Sequence, residues 1–180
     1  MSGPDYIVPP RSWANIASLT DSIRIQFSLS DTPNFPVMDF LERVLFQKMG
    51  VVELEVGDKA EMGPYEGLTD QSGRTIILRE DVYEDAWNGD GRARFTVAHE
   101  LGHLFMHTGI PMARAAGSVK PFRLSEPQAN QFAAELLMPR HFMSPSDRPD
   151  HVIARHQVSH EAAANRIRFM EKERRTIKGA

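Results

Sequence analysis

The sequence predicts an α+β fold in which a small antiparallel sheet of three strands packs on a bundle of helices. Two patterns indicate this: apolar residues recur every three or four positions in long segments, and they alternate with polar residues in short ones. The 180 residues are 41% hydrophobic and 25% charged, with a formal net charge of −3, which is typical of a globular protein. Because the chain has no cysteine, disulfides and iron–sulfur sites are excluded, and any metal must be bound by His, Asp or Glu.

The composition predicts three parts along the chain. Residues 1–34 contain scattered prolines and only weak helical periodicity, so we expect a loosely held, partly helical arm. Residues 35–145 form the core, and residues 146–180 form a C-terminal helical segment that we expect to pack on the core as one domain. No basic stretch followed by an apolar one opens the chain, and no apolar run is long enough to cross a bilayer, so we expect a cytoplasmic protein.

The first half of the core is predicted to contain one helix and three short strands. Apolar residues in the segment 36–48 lie on one helical stripe, and Gly50 ends that helix. Residues 51–56 alternate apolar and acidic side chains, with the two-residue period of a half-buried strand. Segments 65–69 and 75–78 provide two further strands on either side of a turn, which completes the predicted antiparallel sheet.

The second half of the core is predicted to contain two longer helices joined by a loop. Helical periodicity returns between Arg92 and His107, and residues 109–124 follow as a flexible loop. The next helix is expected to begin at Ser125 as N-cap, with Gln128 completing a capping box. Pro139 ends this helix.

The C-terminal segment has the pattern of a helix-turn-helix. A short helix over residues 152–156 and a tight turn lead to a second helix, with Ser159 as its N-cap, that continues through Phe169. Basic residues outnumber acidic ones beyond His151, whereas acidic residues dominate between Asp39 and Asp90. Three interpretations stay open for this segment: packing that completes the fold, which we favour, docking of a partner protein, and direct contact with DNA.

The most specific chemical feature is the HExxH motif His99-Glu100-Leu101-Gly102-His103, which falls within a predicted helix. Histidines four residues apart lie one helical turn apart on one face, so both imidazoles can bind the same metal ion. Glu100 is placed to take a proton from a water molecule on that metal. Two imidazoles, one carboxylate and an open fourth position suit zinc in a catalytic site.

A third metal ligand must come from elsewhere in the chain. Gly109 occupies the position at which a metzincin carries its third histidine, so that class is excluded. We favour Glu126, because it opens a separate helix downstream, and we keep Glu135 and His107 as alternatives. Asn130 lies one turn beyond Glu126 and is placed to orient a ligand imidazole through its second nitrogen.

Two blocks of the sequence resemble the ImmA/IrrE family of zinc metallopeptidases: residues 95–103, FTVAHELGH, and residues 126–139, EPQANQFAAELLMP. The resemblance implies a minimal gluzincin-like fold for the core, with a small sheet, an HExxH helix and a second helix that donates a glutamate ligand. It implies one Zn²⁺ per chain, with Mn²⁺ as the alternative ion. The residues that match the ligands are His99, His103 and Glu126, and the residue that matches the general base is Glu100.

The resemblance also implies a substrate. Known members of the family cleave helix-turn-helix repressors, often encoded beside them, and thereby switch on genes. In gluzincins an edge strand next to the active-site helix binds extended substrate by strand addition. The residues that we expect to do so here are Thr75, Ile76, Ile77 and Leu78. The candidates for a further oxyanion donor are Tyr65, Tyr83, Arg140 and His141.

Two functions of different kinds are consistent with the sequence. The first is an intracellular zinc-dependent endopeptidase that cleaves a helix-turn-helix repressor or antitoxin encoded nearby. The second is a non-catalytic regulator that binds a repressor or DNA through the C-terminal helices and keeps only a structural or vestigial zinc site. Glu100 favours the first function, because a structural zinc site has no use for a general base. We expect neither direct DNA binding nor a membrane partner.

Overall fold

Helices form most of the fold, together with two small sheets. The computed structural model describes residues 5–111, 113–115 and 118–178. In chain order its elements are β1 (Tyr6–Ile7), α1 (Trp13–Gln26), a π-helix (Asp39–Lys48), β2 (Glu53–Gly57), α2 (Lys59–Met62), β3 (Gly67–Thr69), β4 (Thr75–Arg79), α3 (Glu80–Trp87), α4 (Gly91–His107), β5 (Ala113–Arg114), α5 (Ser125–Leu137), α6 (Pro149–His156) and α7 (His160–Lys178). Short 3₁₀ turns lie at Pro121–Arg123 and Arg140–Phe142. The mixed α+β class is therefore confirmed.

The larger sheet has the strand order β2-β4-β3, and it is mixed. Strand β2 runs parallel to β4, with Leu54 opposite Ile76, whereas β3 runs antiparallel to β4, with Thr69 opposite Ile76. The prediction of an antiparallel sheet is therefore wrong for the β2–β4 pair. The reason is that α2 and β3 lie between β2 and β4 in the chain. This connection is long enough to return the chain to the end of the sheet at which β2 began, so β4 runs in the same direction as β2.

Strand β4 occupies the centre of this sheet, where both of its edges are paired. The side chains of Ile76 and Leu78 point into the core and are 0% exposed. The prediction that this strand binds substrate by strand addition is therefore wrong for all four residues concerned: Thr75, Ile76, Ile77 and Leu78. A backbone that is already hydrogen-bonded on both sides has no free groups to offer a peptide.

The segment before the core is packed more firmly than the sequence predicts. Helix α1 begins after Ser12, whose hydroxyl accepts a hydrogen bond from the backbone nitrogen of Asn15 at 3.1 Å. Arg24 in this helix is buried and donates from Nε and Nη2 to the carbonyl oxygen of Leu136 in α5, at 2.9 and 2.6 Å. The expectation of a loosely held arm is therefore wrong for residues 13–26.

Two further helices of the first half agree with the apolar pattern of the sequence. The segment predicted as a helix over 36–48 is π-helical from Asp39 to Lys48, and Phe40, Leu41 and Leu45 are its buried side. Helix α4 is capped by Asp90, whose carboxylate accepts hydrogen bonds from the backbone nitrogens of Arg92 and Ala93. In the described ranges, no helix combines the length and the apolar composition that a bilayer crossing requires.

Helix α5 packs directly on α4, but it does not start as predicted. A Cβ atom at Gly102 would lie 3.1 Å from Cα of Ala129, so this glycine allows the two helices to approach closely. The N-cap of α5 is Leu124, and no side chain caps the helix. The predicted capping box of Ser125 and Gln128 is therefore wrong. The hydroxyl of Ser125 binds strand β1 instead of capping α5, because Ser125 Oγ accepts a hydrogen bond from the backbone nitrogen of Tyr6 at 3.1 Å.

The C-terminal helices share the core with α4 and α5. Val152, Val158 and Ala163 are buried in the same apolar cluster as the residues between α4 and α5. A Cβ at Gly91 would lie 2.3 Å from the carbonyl carbon of Val158, so the start of α4 lies against the turn between α6 and α7. These contacts agree with packing as the role of this segment.

The three-part division of the chain at residues 34/35 and 145/146, and the identity of α6 and α7 as a helix-turn-helix, remain predictions. Residues 1–4 and 179–180 of that division lie outside the described residues. The same applies to positions 112, 116 and 117 of the predicted flexible loop.

Candidate metal centre

Three side chains from two helices converge at one point. His99 and His103 lie one turn apart on α4, and Glu126 lies in the first turn of α5. The Nε2 atoms of the two histidines are 3.0 Å apart, and the carboxylate oxygens of Glu126 lie 3.2 Å from His99 Nε2 and 3.3 Å from His103 Nε2. Within the described residues, this is the one group of three or more candidate ligands whose donor atoms lie within 4.8 Å of one another.

The spacing of these atoms fits a tetrahedral zinc ion. Bonds of about 2.0–2.1 Å at tetrahedral angles separate the ligand atoms by about 3.3 Å. The two imidazole nitrogens are 3.0 Å apart, and Glu126 reaches His99 through Oε2 at 3.2 Å and His103 through Oε1 at 3.3 Å. Glu126 Oε2 is buried, and in the described part of the chain it accepts no well-aligned hydrogen bond, although His99 Nε2 lies nearby. A cation between the three side chains would satisfy this oxygen. The donor set therefore can hold a metal ion.

The charges at the centre favour an ionised glutamate. Burial by itself raises the pKa of Glu126, but the contacts with His103 and His99 outweigh it and hold the pKa well below the usual range for a carboxyl. For His99, burial lowers the pKa, yet the contacts with Glu126 and Glu100 raise it above the usual histidine value. A proton therefore competes with a metal ion for the imidazole of His99, whereas Glu126 is ready as an anionic ligand.

Asn130 contacts Nδ1 of His99, the ring nitrogen that faces away from the other ligands. This is the kind of contact that the sequence predicts for Asn130. The distance between His99 Nδ1 and Asn130 Oδ1 is 3.0 Å. Since an amide oxygen only accepts hydrogen bonds, this pairing places the hydrogen of His99 on Nδ1 and leaves the lone pair of Nε2 directed at Glu126 and His103.

The two alternative ligands are engaged elsewhere. Glu135 is buried in ion pairs with Arg166, at 2.5 Å, and with Arg140, at 2.9 Å. His107 contacts His103 through Nδ1 and Gln128 Oε1 through Nε2, at 3.0 and 3.1 Å. Burial lowers the pKa of His107 to about 4, which keeps its imidazole neutral near pH 7. Neither residue belongs to the convergent group.

Strand β3 holds the side chain of Glu100, a role that the sequence analysis did not predict. Thr69 Oγ1 donates a hydrogen bond to Glu100 Oε2 at 2.7 Å. A Cβ atom at Gly67 would lie 2.8 Å from Cγ and 2.9 Å from Oε1 of Glu100, so the missing side chain leaves room for this carboxylate. The only signal in the sequence was that both residues fall in a short predicted strand.

A cavity of about 770 Å³ opens beside His99, which is the one of the three convergent side chains that lines it among the described residues. Its walls come from the start of β3 and from α4, α5 and α7, and they include Gly67, Phe95, Glu100, Asn130, Asn165 and Phe169. The C-terminal helix α7 therefore forms one side of the cleft. The four proposed oxyanion donors, Tyr65, Tyr83, Arg140 and His141, are not among the described residues that line it.

Comparison with known protein families gives a match to a family of peptidases. The model of the peptidase family M78, described as the IrrE N-terminal-like domain, matches residues 47–168. This range contains α4, α5 and the start of α7, and it covers more than half of the chain. No curated protein matches the sequence significantly.

Proposed function

Because the chain belongs to the IrrE N-terminal-like family of peptidases, we propose that it is an intracellular zinc-dependent endopeptidase. The observation that supports this most directly is the convergence of His99, His103 and Glu126, of which His99 lines a cleft together with Glu100. This arrangement has the three protein ligands of a catalytic zinc site and leaves a fourth position for water or substrate.

In this proposal His99, His103 and Glu126 hold the ion, and Glu100 moves the proton. Bound zinc supplies a water molecule with a pKa lowered toward neutrality and polarises the peptide carbonyl. Thr69 holds Oε2 of Glu100, so Oε1 is left to take a proton from the attacking water and to return it to the leaving amine. Helices α5 and α7 form two of the walls beside Glu100 and His99.

We propose that the substrate adds to the outer edge of β3 as an extended strand. Strand β3 is paired with β4 on one side only, and in the described ranges no other strand lies on its second side. Gly67 in this strand lines the cleft and adjoins Glu100. Main-chain hydrogen bonds to β3 would place a peptide bond beside the metal ligands without requiring a particular sequence.

The resemblance to the ImmA/IrrE family supports a helix-turn-helix repressor or antitoxin encoded nearby as the substrate. Strand addition requires an extended backbone with free N–H and C=O groups. We therefore propose that the cut falls in a linker or loop of that partner rather than within a folded helix. Cleavage there would separate the DNA-binding part of the repressor from the rest and derepress its genes.

The alternative is a non-catalytic regulator with a structural or vestigial zinc site, which acts through its C-terminal helices. Two observations count against this alternative. Thr69 and Gly67 hold and accommodate the carboxylate of Glu100, which a structural site does not need. Helix α7 lines the cleft through Asn165 and Phe169, so part of the supposed docking segment already builds the site.

The test separates metal binding from catalysis. We expect about one zinc per chain in the wild type and in Glu100→Gln, because this substitution leaves all three ligands in place. The same variant should cleave the purified neighbouring repressor about 10²–10⁴ times more slowly, since its amide cannot accept the proton. Glu126→Gln should lose both the zinc and the cleavage. Elemental analysis and a timed digestion followed by mass spectrometry give the two readouts.

Glu161→Gln is the matched control, because Glu161 also lines the cleft but lies outside the convergent group. We expect it to keep both zinc and activity. Cleavage by Glu100→Gln at the wild-type rate would refute the proposed mechanism. A wild-type protein that binds no zinc or manganese would refute the proposed site and leave the regulator as the better explanation.

A further inference from the structure

A chain of hydrogen bonds leads from His103 away from the metal centre into the interior. His103 Nδ1 lies 3.0 Å from His107 Nδ1, and His107 Nε2 lies 3.1 Å from Gln128 Oε1. Gln128 Nε2 in turn donates to the carbonyl oxygens of Pro9 at 3.0 Å and Phe122 at 2.8 Å. His107 is 3% exposed and Gln128 is 0% exposed, so solvent does not compete for these contacts.

The two carbonyl oxygens determine the direction of every hydrogen bond in this chain. A carbonyl can only accept, so the amide nitrogen of Gln128 must face Pro9 and Phe122 and the amide oxygen must face His107. Because this oxygen cannot donate, the hydrogen of His107 is on Nε2. A neutral imidazole carries a single N–H, so Nδ1 of His107 is an acceptor and Nδ1 of His103 is the donor.

We propose that His107 and Gln128 are positioning residues that fix His103 in the tautomer with hydrogen on Nδ1. This inference rests on the proposed function of the centre. In this tautomer the lone pair of His103 Nε2 points at His99 and Glu126, where a metal ligand is needed. The opposite tautomer would direct an N–H bond into the same space and could not bind a cation.

The end of this chain lies outside the part of the sequence that the family model matches. Pro9 precedes residue 47, and the segment around it is held by the backbone nitrogen of Val8, which donates to the carbonyl oxygen of Arg123 at 3.0 Å. The N-terminal segment therefore fixes Gln128 and, through it, the orientation of a proposed ligand. His99 needs no such chain, since Asn130 contacts its Nδ1 directly.

The test is His107→Phe, which keeps a ring of similar size but removes the acceptor for His103 Nδ1. In the zinc-free protein, long-range ¹H–¹⁵N NMR should show His103 as a single Nδ1–H tautomer in the wild type. In the variant we expect a mixture of both tautomers. We also expect zinc to bind about 10–100 times more weakly, as is typical when a partner of a ligand histidine is removed.

Three further variants make the result specific. His107→Gln offers an amide oxygen to His103 and should restore much of the affinity and the single tautomer, which a purely structural role would not predict. Gln128→Met removes the acceptor for His107 Nε2 and should act in the same direction, so it serves if His107→Phe fails to fold. His151→Phe makes the same substitution at an exposed position on α6 and should change neither readout.

An unchanged His103 tautomer in both His107→Phe and Gln128→Met would overturn the inference, even with zinc bound normally. A wild-type protein that does not bind zinc would instead refute the proposed function. The NMR measurement on the zinc-free protein would still decide the tautomer in that case, so the two failures are distinguishable.

Discussion

Glu135 and Arg166 form an ion pair in which each side chain is 1% exposed. Their closest atoms are 2.5 Å apart, and Arg140 approaches the same carboxylate to 2.9 Å. Arg166 belongs to α7 and Glu135 to α5, so this pair attaches the C-terminal helix to the helix that carries Glu126. A buried charge that loses its partner is strongly unfavourable, whereas an apolar pair of similar volume is not.

We predict that Arg166→Met lowers the free energy of unfolding by up to about 3–5 kcal/mol, because it leaves the buried carboxylate of Glu135 with Arg140 as its one cationic partner among the described residues. The double variant Glu135→Met/Arg166→Met should lose less than the single one, since it also removes the buried carboxylate that has lost its closest partner, and Arg140 keeps its ion pair with Glu173. Urea unfolding of the three proteins measures both values.

Zinc content provides the second readout for this ion pair. Because Glu135 is held by two arginines rather than by the convergent group, the folded double variant should bind zinc like the wild type. If it lost zinc, Glu135 would have to be reconsidered as a ligand. A single variant as stable as the wild type would show that the pair contributes nothing to the attachment of α7.

Strand β3 is the element on which the position of Glu100 depends. We predict that Gly67→Ala slows peptide cleavage by about 10–100-fold, because the new methyl group would overlap Cγ and Oε1 of Glu100 and displace the carboxylate. The clash involves a flexible side chain, so the melting temperature should change little. Zinc content should also stay at the wild-type level, since none of the three convergent side chains moves.

Leu68→Ala is the control for this prediction. Leu68 is the next residue of the same strand and is 38% exposed, and successive side chains of a strand point to opposite faces. It should therefore leave Glu100 in place. If Gly67→Ala cleaved the repressor at the wild-type rate, β3 would have no part in holding the general base.

The periodicity of the sequence was enough to locate most elements but not to arrange them. A helix was predicted over 92–107 and is found at Gly91–His107, because the pattern that defines it is local. The order β2-β4-β3 depends on where the chain crosses the sheet, which alternation of apolar residues does not encode. The strand assigned to substrate binding, at residues 75–78, was therefore placed at an edge that it does not occupy.

Contacts between residues that are distant in the chain were the second feature that the sequence did not predict. The HExxH spacing is enough to predict that His99 and His103 share one metal ion, because it depends on helical geometry alone. The choice of Glu126 over Glu135 and His107 rested on its separate downstream helix and on the resemblance to the ImmA/IrrE family. The link from His107 to Gln128 crosses 21 positions, and the link from Gln128 to Pro9 crosses 119. Ser125 is a further example, since its hydroxyl bonds with the distant Tyr6 rather than capping its own helix.

Across the whole molecule, buried arginines connect segments that are remote in the sequence. Arg24 binds the carbonyl of Leu136 from α1, and Arg94 of α4 binds the carbonyl of Phe35 at 2.8 Å. Arg166 binds the carbonyl of Met138 at 3.0 Å from α7. Each guanidinium satisfies a backbone oxygen of another segment, so separating any of these segments would leave charged and polar groups unpaired in the interior.

His156 makes the stability of this assembly depend on pH. It is 0% exposed, its Nδ1 donates to the carbonyl oxygen of Pro33 at 2.7 Å, and within the described residues its Nε2 has no hydrogen-bond partner. Burial, with smaller contributions from Arg155 and Arg24, lowers the pKa of His156 to about 4. An unfolded histidine titrates near pH 6.5.

Between about pH 6.5 and 4 the unfolded chain therefore binds a proton at this position that the native chain does not bind. The free energy of unfolding should fall by about 1–3 kcal/mol as the pH is lowered through this window. In His156→Phe, the free energy of unfolding measured with urea at several pH values should fall less steeply as the pH is lowered. The fall that remains in this variant includes the contribution of the buried His107. His151→Phe, at an exposed position, should keep the wild-type slope. Equal slopes for the wild type and His156→Phe would show that protonation of His156 does not drive the loss of stability in acid.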